Sequence, residues 1–211
     1  MGIGVILGSG AAGLDLGEGI VTIDRHGDPH RLPHLIDHEA NLETLRDAGC
    51  DRVVGVASVG GLRPEIAPGT LLVPDDFIAL DLPPQTTLSD HRAHRVPGFH
   101  AAWRRTLVEA VAEHAAVRDG GVYWQVAGPR LETEAEVRFI APHAHVIGMT
   151  IASECIVAGE LGVEYAAICL VDNLANGVAG NELELAEVEA GQARHRADLH
   201  RVLRRVLTEF A

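Results

Sequence analysis

Apolar positions along this chain follow two rhythms, short continuous runs and a helical repeat, which alternate with each other. Gly2–Leu7 (GIGVIL) is a continuous run closed by Gly8-Ser9-Gly10, the pattern of a buried strand ending in a tight turn. Gly19–Asp24 predicts a second strand. From Leu35 to Ala48 the positions Leu35, Ile36, Ala40, Leu42 and Leu45 recur at helical spacing, and Gly49 supplies the stop. Arg52–Ser58 (RVVGVAS) is continuous and β-branched, which predicts an interior strand breaking at Val59-Gly60-Gly61. The turn Pro68-Gly69 introduces a strand over Thr70–Pro74. Leu82–Pro97, rich in Pro, Ser, Thr, Asp and His, is predicted to be a mobile or interface loop.

The second half repeats the alternation. Helices are predicted over Ala101–Ala116, Glu134–Ile140 and Ser153–Leu161, the last stopped by Gly162, and strands over Val122–Val126, Val146–Met149 and Tyr165–Val171. Glu182–Phe210 reads as a long, charged terminal helix with Gly191 as its candidate break. Continuous apolar strands alternating with helices predict an α/β fold on a largely buried mixed sheet. No internal repeat or linker interrupts residues 1–211, and 211 residues suit a single domain.

Charge narrows the partners. All 17 basic residues are Arg, and against 30 acidic residues the net charge is 17 − 30 = −13. That balance argues against a nucleic-acid duplex or an anionic membrane as partner, although a few Arg side chains can still make a local pocket for a small anion. No apolar run approaches the ~18 residues of a membrane span, and Met1–Gly10 lacks the basic flank of a signal peptide. Cys50, Cys155 and Cys169 are odd in number and widely spaced, with no zinc spacing, which suits buried reduced thiols and a cytoplasmic location.

Several motifs could carry chemistry. Gly8–Gly13 (GSGAAG) fits a dinucleotide fingerprint, but that reading needs a helix at the second glycine. Gly13, Gly17 and Gly19 each cost about 1 kcal/mol there. A phosphate cradle built from backbone N–H groups and the Ser9 hydroxyl, or a plain tight turn, also fits these residues. His26, His30, His34 and His38 share four-residue spacing, yet Pro29 and Pro33 interrupt the helix that would align them as metal ligands, so no metal is expected. Arg25-His26 ends a strand with a planar oxyanion donor beside a second donor. Asp172-Asn173 follows an apolar strand, where open α/β sheets place ligands, and an Asn amide can match the edge of a heterocyclic base. Gly128-Pro129-Arg130-Leu131-Glu132 and Gly148-Met149-Thr150 also follow strands.

In order and spacing, these segments resemble the trimeric purine nucleoside phosphorylase and 5′-methylthioadenosine phosphorylase family. The matching pieces are GSG (8–10), RHG (25–27), PHLIDHEANLETLRDAGC (33–50), SVGGLRPEIAPG (58–69), AGPRLETEAE (127–136), GMTIASE (148–154) and VDNLANG (171–177). The resemblance implies a partly barrel-like sheet and phosphorolysis, in which phosphate attacks C1′ of a nucleoside and releases base and pentose 1-phosphate. It implies inorganic phosphate as co-substrate, no other cofactor, and a homotrimer or dimer of trimers.

By matching position, Ser9, Arg25, His26, Ser58 and Thr150 would hold phosphate. Met149, Val59, Gly60, Leu131 and Ala175 would line the ribose and base. Glu132 and Asn173 would face the base, and His91 or His94 would reach a neighbouring subunit's site. Asn173, with Ala175 where relatives acting on 6-aminopurines carry a second acid, implies a 6-oxopurine such as hypoxanthine or guanine. Ala193 falls where 6-oxopurine enzymes carry a histidine for the 5′-hydroxyl, so a 5′-methylthio group also fits. Three departures stand out: the stretch between GSG and RHG is short, Ser58 stands where Ala is usual, and Asp172 stands where a hydroxyl residue is usual. Asp172 would orient Asn173 or act as an acid itself. A 5′-methylthioadenosine phosphorylase, a nucleosidase using water and a non-catalytic nucleoside binder are the alternatives.

Overall fold

The computed structural model describes residues 2–80, 82–83, 85–180 and 182–210. Its strands are β1 (Gly2–Leu7), β2 (Ile20–Asp24), β3 (Cys50–Gly61), β4 (Leu71–Val73), β5 (Asp76–Ile78), β6 (Val117–Asp119), β7 (Val122–Gln125), β8 (Val146–Gly148) and β9 (Glu164–Leu174). Between and after them run α1 (His38–Asp47), α2 (Ala101–Ala112), α3 (Glu134–Ile140), α4 (Ile151–Leu161) and α5 (Leu185–Thr208). The strands join in one mixed sheet of order β5-β7-β8-β3-β9-β4-β6, with β1 also on β3 and β2 on β1. The α/β reading therefore holds. β5 (DFI) and β6 (VRD) have no counterpart in the sequence reading, because these short edge segments carry charged residues and no continuous apolar run, unlike the equally short β4 (LLV) and β8 (VIG).

Strand alternation sorts the core onto the two faces of the sheet. Along β9, Ala166, Ile168 and Leu170 pack with Trp103 and Leu107 of α2 and Leu199 and Leu203 of α5. The intervening Tyr165, Ala167, Cys169 and Val171 pack with Leu42 and Leu45 of α1 and Ile151 and Ala158 of α4. All three cysteines are buried and free. Burial pushes the Cys155 and Cys169 thiols up to about 12, which keeps them protonated.

The sheet's pairing creates the site. β1 runs parallel to β2 and to β3, with Leu7 opposite both Asp24 and Val56. On the edge of β3 that β1 occupies, pairing resumes only at Gly60 and Gly61, now with antiparallel β8. Ala57, Ser58 and Val59 thus have no strand partner on that edge among the described residues. This is a switch point, where the carboxyl ends of parallel strands leave backbone and side chains open to a ligand. On the other edge β9 follows β3 in parallel, slipping register between Val59 and Gly60, so that Asn173 lies opposite Gly60.

Two local expectations change. β3 does not break at Val59-Gly60-Gly61 but runs on to Gly61, because Gly60 and Gly61 pair with β8 on one side and β9 on the other. Ser9–Ala11 forms a single 3₁₀ turn, in line with the glycine argument against a dinucleotide helix, and the short segment before Arg25 still brings Arg25 and His26 alongside Ser9. Helix α5 runs unbroken through Gly191, where a Cβ would overlap the Asp172 carbonyl. The glycine serves close helix–strand approach, not a break. The loop at 82–97 is fastened to α4: the Thr87 N–H donates to Glu160 at 2.6 Å and Arg95 Nη1 to the Gly159 carbonyl at 2.6 Å.

Candidate active site

A cleft of about 240 Å³ opens at the switch point. Its lining brings together Ser9, Arg25, His26, Ser58, Val59, Gly60, Glu132, Met149, Thr150, Asn173 and Ala175, residues from six separate stretches of the sequence. Leu131 does not line it; Asp172 lies behind it; His91 and His94 sit exposed on the 82–97 loop, away from their own chain's cleft. Sequence reading missed His30, Leu183, Leu185, Val188 and Gln192, which also line the cleft. The resemblance brought this helix to the site through Ala193, but only its helical phase could have pointed to Gln192 and Val188.

One end of the cleft is built for an anion. Ser9 follows β1, Arg25 and His26 follow β2, and Ser58 occupies the open edge of β3. The Arg25 guanidinium is buried and donates through Nε and Nη2 (3.1 Å) to Glu154 and through Nη1 to the Val56 carbonyl at 2.8 Å. Burial opposes its charge, but Glu154 outweighs burial and raises the guanidinium pKa. Glu154 also accepts from the Tyr165 hydroxyl at 2.6 Å. Two of the five guanidinium N–H groups stay outside these bonds. His26 and His30 stack with ring centroids 4.5 Å apart, and His26 Nδ1 lies 2.7 Å from the Arg31 carbonyl. Burial lowers the pKa of His26 and of His38, which sits on α1 beside Glu154. The four histidines do not share a face.

Thr150 sits at the N-cap position of α4, yet its side chain makes no cap hydrogen bond, which frees the hydroxyl for a ligand. The first backbone donors of α4 are already engaged: Thr150 and Ile151 N–H point to the Tyr123 hydroxyl at 3.2 and 3.4 Å, and Ser153 N–H to Gln125 at 3.1 Å. What this end of the cleft offers a ligand therefore comes mainly from side chains.

The other end suits a planar heterocycle. Glu132 is buried, and burial raises its carboxyl pKa. Its backbone carbonyl accepts from Asn176 Nδ2 at 2.9 Å, and Asn176 Oδ1 accepts from Leu183 N–H at 3.0 Å. Asn176 thus ties the Glu132 loop to the segment leading into α5. Asn173 donates one amide N–H to the Leu174 carbonyl at 2.9 Å, which leaves its second N–H for a ligand. Met149 lies across Gly128, whose φ of 64° and missing Cβ make room for it.

The phosphorylase superfamily model matches residues 12–208. The chain belongs to that superfamily. It is 38% identical over 186 residues to the probable 6-oxopurine nucleoside phosphorylase of Archaeoglobus fulgidus, covering 85% of this chain and 76% of that protein. It is 36% identical over 204 residues to the probable S-methyl-5′-thioinosine phosphorylase of Pseudomonas syringae pv. tomato, covering 89% and 81%. Among solved structures, the methylthioadenosine phosphorylase of Schistosoma mansoni in complex with adenine superposes with a TM-score of 0.83. That match spans all of this chain and 92% of the other at 19% identity, a likeness of fold. No helix among the described residues is long and apolar enough to cross a membrane.

Proposed function

We propose that this chain is a pentosyltransferase that cleaves the N-glycosidic bond of a 6-oxopurine nucleoside with inorganic phosphate. One observation carries the reading. A single cleft joins an anion end (Ser9, Arg25, His26, Thr150) to a base end where a buried carboxylate, Glu132, and an amide, Asn173, converge. Both charges of a phosphorolytic transition state are met there. A phosphate oxygen bonds to C1′ as the C1′–N9 bond breaks, and the bonding pair leaves on the purine. The anion end holds the nucleophile below the cationic sugar, while the Asn173 N–H meets the charge developing at N7. Glu132 accepts from N1–H, and Met149, Val59, Gly60 and Ala175 pack around sugar and base.

The one free Asn173 N–H would be shared between N7 and a 6-keto oxygen, whereas an Asp in its place would accept from an exocyclic amine. The 5′ end faces apolar residues of α5 and of the segment before it: Leu183, Leu185 and Val188 line the cleft, and Leu185 remains 64% exposed. An uncovered apolar wall favours a 5′-methylthio group over a 5′-hydroxyl. The working unit is one nucleoside phosphorylase-like domain over 1–211, cytoplasmic and homotrimeric or a dimer of trimers, with His91 or His94 reaching a neighbour's cleft. Phosphate is the only co-substrate required.

The test is base release from inosine, guanosine, 5′-methylthioinosine, adenosine and 5′-methylthioadenosine, each with and without phosphate. The expected result is phosphate-dependent release of hypoxanthine or guanine, fastest from 5′-methylthioinosine. Release without phosphate would make the protein a hydrolase, and faster release of adenine would overturn the reading of Asn173.

A further inference from the structure

Helix α5 inserts a polar side chain into the anion end of the cleft that neither the motifs nor the proposed mechanism uses. Gln192 Nε2 lies 3.0 Å from Ser9 Oγ and 3.0 Å from Ser58 Oγ, donating to both. Behind them Ser58 Oγ donates to Asp172 Oδ2, and Asp172 Oδ1 accepts from His195 Nδ1 at 3.2 Å. The helix is pinned in this place. Gly191 rests on the Asp172 backbone, and Arg196 donates to the Gly10 and Ala12 carbonyls at 3.0 and 2.6 Å.

We propose that Gln192 sets the polarity of the phosphate subsite by covering hydroxyl lone pairs that the buried Asp172 would otherwise turn toward the incoming anion. The inference rests on the phosphorolysis reading of the same cleft. A serine hydroxyl has one proton and two lone pairs. Ser58 spends its proton on Asp172, so what it can show a phosphate is acceptor density backed by a carboxylate. The Gln192 amide caps Ser58 with one N–H. Its other N–H occupies a lone pair of Ser9, which orients the Ser9 proton outward as a donor. Asp172, 2% exposed and held by Ser58 and His195, fixes Ser58 in that orientation. Asp172 and His195 are therefore positioning residues acting through Ser58, and Gln192 is the specificity-determining group in the cleft wall.

The experiment compares KM for phosphate with KM for nucleoside in the unaltered enzyme and in Gln192→Met, Gln192→Glu and Gln192→Met/Asp172→Asn. Thermal unfolding midpoints in a phosphate titration give a readout independent of turnover. Gln192→Met is expected to raise the phosphate KM roughly tenfold, the scale of one hydrogen bond to a charged group, with the nucleoside KM nearly unchanged. Gln192→Glu should raise it further, and adding Asp172→Asn to Gln192→Met should bring it partly back by removing the buried negative charge behind Ser58. A flat phosphate KM in both single variants, or an equal rise in both KM values, would overturn the inference even if the double variant failed to fold. Base release from the unaltered enzyme that ignores phosphate would instead overturn the phosphorolysis reading on which the inference stands.

Discussion

Arg25 reaches the cleft with its guanidinium already committed to Glu154, a residue that lies behind the cleft and is fully buried. The pair makes Arg25 both a wall of the anion site and part of the interior. Removing one member of a buried pair leaves an uncompensated charge, which costs about 3–5 kcal/mol, whereas replacing both by apolar groups of similar volume can be nearly neutral. Glu154→Ala is thus expected to lower stability by that amount in urea unfolding. Arg25→Met/Glu154→Leu should recover much of the loss while leaving phosphate binding impaired. A double variant as unstable as Glu154→Ala would mean that the pair contributes more than its charges.

Asn173 tests the base end. Asn173→Ala removes a donor used in the transition state and should lower kcat by the equivalent of about 2.7–4 kcal/mol. Asn173→Asp should move the preference toward 6-aminopurine nucleosides. Steady-state rates on inosine and adenosine check both, and unchanged specificity in the Asp variant would remove Asn173 from base recognition.

Glu132 predicts a pH dependence. Burial raises its pKa above the ordinary 4.5, so on acidification it takes up a proton earlier than an exposed glutamate. The protonated group keeps only a neutral carbonyl acceptor, a weaker partner for N1–H than the carboxylate. The kcat/KM for a 6-oxopurine nucleoside should therefore fall as pH drops through the raised value, and the relative rate on 6-aminopurines should rise. Glu132→Gln should abolish this limb and reduce kcat/KM at neutral pH by roughly tenfold to a hundredfold. The titration of phosphate itself persists in that variant, which separates the two effects.

Gly191 sets two opposing effects against each other. Alanine is the better helix former by about 1 kcal/mol. Here, however, its methyl would overlap the Asp172 carbonyl, and overpacking of this kind costs about 1–3 kcal/mol. Gly191→Ala is expected to destabilise the protein and to raise the phosphate KM by moving Gln192, read by urea unfolding and steady-state kinetics. A stabilised variant would show that α5 can shift at no cost.

The sequence by itself determined the strand-and-helix alternation and the interior cores of β3 and β9, each encoded locally in a continuous apolar run, while most of the cleft lining follows from motifs shared with the family. Pairing with β8 and β9 carries β3 past the break expected at Val59-Gly60-Gly61. Tertiary structure decided the rest. Whether Arg25 meets solvent or Glu154 depends on residues 129 positions apart, and no periodicity records that distance. The three-residue edge strands β5 and β6 exist because neighbours offer them hydrogen bonds, not because their own sequence favours extension. Gly191 reads as a helix break in isolation and becomes a contact only when β9 lies against it. Gln192 sits in an unremarkable charged helix until that contact aims it at Ser9 and Ser58. Local physics fixes which segments form, and the close approach of distant backbones fixes which side chains meet.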